Sequence, residues 1–109
     1  MPTQAAALGV SLLIEAPIVL AATARARRGP AWRIAAAVLP SCVTHPLAWH
    51  AIGNFGAHDY LAGVVLIEAL VIAAEAPMLH WLAGIPWRAA FALSLLANVM
   101  SVGLGAALA

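Results

Sequence analysis

The chain has 109 residues and a net charge of +1, with 65% hydrophobic and 8% charged residues and a mean hydropathy of +1.01. A soluble domain carries about a quarter charged residues and no more than about half apolar ones, and so short a chain could not hide this much apolar surface from water. An ordinary water-soluble domain is thereby excluded. With one short arginine run and no basic face, so is a nucleic-acid partner. The lipid bilayer is the expected solvent and first partner. The single cysteine, Cys42, excludes an internal disulfide and a thiolate metal cluster, and is expected to be a small buried apolar residue.

Four apolar stretches follow one another, at about residues 4–24, 31–52, 60–82 and 87–108. Each is about twenty residues, the length at which an α-helix crosses a hydrocarbon core of about 30 Å. Helices are required because hydrocarbon offers nothing to satisfy free backbone groups. The first stretch carries Glu15-Ala16-Pro17, and its Ala22-Thr23-Ala24 imitates a signal-peptide cleavage site. A signal peptide fits poorly, because Met1-Pro2-Thr3-Gln4 has no positive side chain and the arginines follow the apolar run. The second stretch opens on Trp32-Arg33 and holds Pro40, Ser41, Thr44, His45, Pro46 and Trp49. The third holds Glu68, Glu75 and Pro77. The fourth opens on Trp87-Arg88 and holds Asn98 and Ser101. The expected fold is all-α: a single transmembrane domain, residues 1–109, forming a four-helix bundle of two antiparallel hairpins.

All five basic residues, Arg25, Arg27, Arg28, Arg33 and Arg88, fall in or beside the first and third connections. The middle connection, residues 53–59, has none. The positive-inside rule places connections one and three in the cytoplasm, and both termini and the middle loop outside. Trp32, Trp81 and Trp87 at the arginine side, with Trp49 and Tyr60 at the other, read as two interfacial belts.

The halves resemble each other. Glu15-Ala16-Pro17 recurs as Glu75-Ala76-Pro77, Trp32-Arg33 as Trp87-Arg88, and Thr44 matches Ser101. Both hairpins begin outside, so the repeat is a parallel one, of the kind that transporters use with a site at the interface between halves. The run Val43-Thr44-His45-Pro46-Leu47-Ala48-Trp49, with a Glu-bearing third helix and Asn98-x-x-Ser101-x-Gly103, resembles small four-helix bacterial membrane proteins of uncharacterised function. Those carry Asn-x-x-Thr-His-Pro-x-x-Trp in the second helix; here Ser41 stands in place of Asn. The resemblance covers most of the chain through one short motif. It implies a fold, a polar constellation and the bacterial inner (cytoplasmic) membrane, and no reaction.

Glu15, Glu68 and Glu75, three of the four acidic residues, lie within the expected spans. A charged side chain at the bilayer centre costs about 2.5–3.5 kcal/mol on insertion scales, and is by default a functional-site hypothesis. Counted from the outer ends at 1.5 Å per residue, His45 and Glu68 lie about 10–12 Å deep. Glu15, Ser41 and Asn98 lie about 15–17 Å deep, and Glu75 about 22 Å. Glu68 and Glu75, seven apart, share a helix face. The set reads as a ladder through the bundle interior.

Two chemistries compete for it. The carboxyls and His45 conduct protons or a cation, since carboxyl groups in low dielectric exchange protons nearer neutrality. Alternatively each Glu is neutral interhelical glue, worth about 0.6 kcal/mol per bond. Oxygen ligands plus one imidazole suit Mn²⁺, Fe²⁺ or Zn²⁺, but no His-x-x-x-His or Glu-x-x-His pair supports a metal site. A haem or chlorophyll has only His45 as a ligand and little room in so short a chain, so the cofactor is left open. Pro17, Pro46 and Pro77 free the carbonyls of Leu13, Cys42 and Ala73, either as packing kinks or as ion ligands. No nucleophile–base pair or phosphate loop is present, and an enzyme is not expected. Ala97, Ser101 and Gly105 form a small-xxx-small stripe that admits a close helix, from the other hairpin, a second copy or a larger membrane complex. The sequence thus supports a small polytopic membrane protein with an ion, proton or metal-cation pathway. Glu15, His45, Glu68, Glu75 and Asn98 line it, supported by Ser41, Thr44 and Ser101. The alternative is a non-transporting accessory or assembly subunit. A pathway requires the polar residues to converge on a cavity that reaches one surface; glue requires them to pair off.

Overall fold

The computed structural model describes the backbone of residues 3–108 and the side-chain surroundings of residues 3–104. The elements are α1 (Gln4–Ala22), α2 (Pro30–Ile52), α3 (Tyr60–Ala83) and α4 (Trp87–Leu108), with no strand among the described residues. Their ends fall within two residues of the expected stretches.

Local chemistry sets those ends. Thr3 caps α1 by accepting a hydrogen bond from the Ala6 N–H at 3.1 Å, which satisfies one of the donors that a helix start leaves orphaned. The last carbonyls of α1 are orphaned in the same way. Arg33, reaching back from α2, donates through Nη2 to the Leu20 carbonyl at 2.6 Å and through Nε to Thr23 Oγ1 at 3.4 Å. α2 starts with Pro30, whose missing N–H costs nothing at that position. α3 stops at Gly84, which has φ 68° and ψ 34°, the left-handed conformation that favours glycine. A β-carbon there would also stand 3.0 Å from Arg28 Cγ. Gly84→Ala should therefore cost about 1–2 kcal/mol, read as a lower unfolding midpoint in detergent. Helices α1, α2 and α3 run unbroken through Pro17, Pro40, Pro46 and Pro77.

Each helix packs on two others, α1 on α2, α2 on α3, α3 on α4 and α4 back on α1, and no diagonal pair touches among the described residues. The result is an up-down-up-down ring. Its polarity is inverted relative to a water-soluble bundle. Leu13, Leu47 and Leu61 are 78%, 69% and 76% exposed, while Glu15, Ser41, Thr44, Glu75, Ser94 and Asn98 are buried. A soluble bundle turns its apolar stripe inward and its polar face out. Three helices, α1, α3 and α4, are long and apolar enough to cross a membrane. α2 matches them in length, at 23 residues. Arg33, Ser41, Thr44, His45, His50 and three prolines leave it less apolar than the others.

Cys42 departs from expectation: it is exposed on the outside of α2, not buried. Neighbours on a helix point about 100° apart. Because Ser41 and Thr44 turn inward, Cys42 is carried outward. At the arginine end the interior is apolar, formed by Val19, Ala36, Ala37, Leu79, Ala83, Ala90 and Leu93, apart from the buried Thr23, whose hydroxyl donates to the Val19 carbonyl at 2.7 Å. At the other end, Phe55 of the 53–59 connection lies flat against α3 at Gly63. A β-carbon at Gly63 would fall 2.5 Å from the Phe55 ring, so only glycine permits this approach.

Candidate functional site

The centre of the ring is hollow where the apolar core ends. A cavity of about 390 Å³ is lined by Glu15, Ser41, Thr44, His45, Glu68, Glu75, Asn98 and Ser101, together with Ser11, Ala48, Trp49, Ile52, Tyr60, Val71 and Val102. All eight polar residues singled out from the sequence therefore border one space. Trp49 and Tyr60, which are exposed, mark where it reaches the end of the bundle opposite the arginines. The expected ladder through the whole interior is shorter than that. Glu75 is its last rung, and the Leu79, Leu93 and Val19 side chains close the way beyond. The cavity is blind.

Glu75 anchors its floor. Asn98 Nδ2 donates to Glu75 Oε1 at 2.7 Å and to the Ser94 carbonyl at 2.8 Å, which uses both amide hydrogens. Thr44 Oγ1 lies 2.7 Å from Glu75 Oε2 and 2.9 Å from the Pro40 carbonyl oxygen. Depth counted along Cα positions sets Glu75 well below Asn98, yet their side chains meet. Every Cα–Cβ bond leans toward the N-terminus of its helix. In antiparallel α3 and α4 this tilts Glu75 toward the open end and Asn98 toward the core. Glu15 and Ser41, at about the same depth on α1 and α2, meet more loosely: Ser41 Oγ donates to Glu15 Oε2 at 3.4 Å.

The other members stand nearer the mouth. Glu68 is half-buried in the cavity wall and takes no hydrogen bond from another side chain among the described residues. The Gln4 amide donates to His45 Nδ1 at 3.3 Å, and the His45 ring stacks on Trp49 with centroids 6.2 Å apart. Ser101 Oγ donates to Ser11 Oγ at 3.2 Å and stands beside the Glu15 carboxyl. Ser11 was missed from the sequence, although it lies one turn before Glu15 on the same face and so had a readable signal. Of the small-residue stripe, Ala97 is buried and Ser101 faces α1, so both lie inside the bundle. Gly105 lies outside the residues whose surroundings are described.

Chemically, the cavity offers three carboxyl groups and an imidazole with no Lys or Arg on its wall. Among the described residues no three His, Cys, Asp or Glu side chains come close enough to hold a metal ion together. His80, outside the site, donates from Nδ1 to the Ile85 carbonyl at 2.7 Å and stacks on Trp87 with centroids 4.0 Å apart. No family model, curated protein or solved structure matches the chain.

Proposed function

We propose that the protein is an integral membrane protein that loads protons or small cations into its interior from one face of the bilayer. The observation that carries this reading is the blind cavity, in which Glu15, Glu68 and Glu75 converge with no Lys or Arg on the wall. Ionisable side chains inside a span mark ion and proton routes when they border a water-filled space. Glu75 and Glu15 do pair with Asn98, Thr44 and Ser41, as glue requires, but Glu68 lines the same cavity with no side-chain partner among the described residues.

The hydrogen bonds at Glu75 suit a group that changes charge in place. The Thr44 hydroxyl has one hydrogen and two acceptors in reach. With Glu75 ionised, Thr44 donates to the carboxylate. With Glu75 protonated, the carboxyl donates to Thr44 Oγ1, which donates on to the Pro40 carbonyl. A proton can arrive or leave without any side chain moving. On this reading the closed floor suits one state of an alternating-access cycle better than an open channel.

The hairpins support a parallel repeat around this site. Ser41 and Asn98, each three residues before the Thr44 and Ser101 of the sequence match, donate to the Glu of their own hairpin. Thr44 reaches across to Glu75, and Ser101 reaches across to Ser11 beside Glu15.

In the proposed orientation the cavity opens away from the cytoplasm, and the setting is the bacterial inner membrane. A cysteine placed at Ala57 in a Cys42→Ser background should react with an impermeant thiol reagent in intact cells, and one at Ala26 should not. The opposite pattern would reverse the orientation. The function itself is tested in proteoliposomes. A methylammonium or pH gradient should drive flux that the empty vesicles lack, and its absence in correctly inserted protein would favour the accessory-subunit alternative.

A further inference from the structure

A second cavity, of about 230 Å³, lies between α2 and α3 on the outside of the ring. Thr44, Leu47, Ala48, Ala51, Ile67, Leu70, Val71 and Ala74 line it, so its wall is apolar except for Thr44. Leu47 and Leu70, 69% and 57% exposed, place it on the apolar exterior. Three residues, Thr44, Ala48 and Val71, border both this groove and the carboxyl-lined cavity. A space of mixed polar and apolar lining and an apolar groove therefore share one thin wall, part of which is a single alanine.

The carboxyls stand at that wall. Val71 is three residues after Glu68 and four before Glu75, so it lies on the same face of α3, about one turn from each carboxyl, and the two carboxyl residues are about two turns apart. Thr44 touches the groove and bonds Glu75 as well. A molecule whose charged end sits between Glu68 and Glu75 has its shortest way to hydrocarbon past Ala48 and Val71.

We propose that the ligand of the cavity is a single-tailed lipophilic amine. Its ammonium group lies among Glu68, Glu75 and Glu15, and its hydrocarbon chain leaves between α2 and α3 into the outer groove. The absence of Lys and Arg from the cavity wall disfavours fatty acids and phospholipids, whose anionic groups would face the carboxylates. The floor of Leu79 and Leu93 stops a tail from running the other way. The inference rests on the cation-loading reading and specifies its substrate class.

The test uses the full chain in nanodiscs, with empty nanodiscs subtracted, and compares binding of octylammonium, methylammonium and octanol by calorimetry. Octylammonium should bind saturably and more than about tenfold tighter than methylammonium, because each buried methylene adds affinity. Octanol should show no saturable binding. Ala74→Phe, at an exposed position that borders only the groove, should bring octylammonium down toward methylammonium. Glu68→Gln, which disturbs no side-chain hydrogen bond of the described structure, should weaken both amines. Equal binding of the two amines, with Ala74→Phe silent and Glu68→Gln weakening both, overturns the lipophilic ligand and leaves the cation-loading reading standing. Binding that ignores Glu68, or none to either amine, overturns both. Octanol binding as tightly as octylammonium shows a groove for neutral lipid and overturns the amine.

Discussion

Glu75→Gln is expected to abolish cation-driven flux while changing stability by less than about 1 kcal/mol. The glutamine carbonyl oxygen takes over the bond from Asn98 Nδ2. Its amide donates to Thr44 Oγ1, and Thr44 in turn donates to the Pro40 carbonyl, which already lies 2.9 Å away. Every partner of the native carboxyl is kept, and only its ability to gain and lose a proton is removed. Glu75→Leu separates the two roles. It strands the Asn98 amide hydrogen that now points at Oε1, at a cost of about 1–3 kcal/mol, and should lower the unfolding midpoint visibly. Flux in proteoliposomes and thermal unfolding in detergent, measured on both variants, decide the matter. A Glu75→Gln protein that still transports would remove Glu75 from the pathway.

Shortening the floor should have the opposite effect, a gain of permeability. Leu79 and Leu93 are 3% and 6% exposed and stand between Glu75 and the arginine end. Leu79→Ala, Leu93→Ala or the pair removes the constriction that keeps the cavity from reaching the second surface. Each single change should cost about 2–5 kcal/mol through the lost packing. The double variant should also pass protons without a gradient-driven cycle, because a wider apolar neck no longer holds water out. A pH-sensitive dye sealed in vesicles reads this as collapse of an imposed pH difference. Vesicles as tight as those with the native chain would mean that the arginine end is sealed elsewhere.

The helices were legible because composition and length alone demand them, and Thr3, Pro30 and Gly84 punctuate their ends. The inward set was legible too. Glu15, Glu75, Asn98 and Thr44 are polar groups that no apolar exterior tolerates, so each had to face the centre. What the sequence hid was extent. Spacing along one helix shows that Glu68 and Glu75 share a face, but not that the polar face ends there. That depends on Val19, Leu79 and Leu93 meeting across three different helices. Cys42 misled for the same reason, since an apolar residue in an inverted bundle belongs outside. The groove behind Ala48 and Val71 was invisible, because absence of side-chain volume leaves no mark until two helices are set side by side.

The exposed thiol of Cys42 has a practical consequence. It is the only cysteine in the chain, and it sits mid-helix on the outer surface of α2. A nitroxide attached there needs no engineered background and leaves the polar interior untouched. Its relaxation by dissolved oxygen against a water-soluble nickel chelate reports whether that surface meets acyl chains, another protein or solvent. One native side chain thus serves as a depth gauge for the bundle, and as a sensor of any second helix that comes to cover α2.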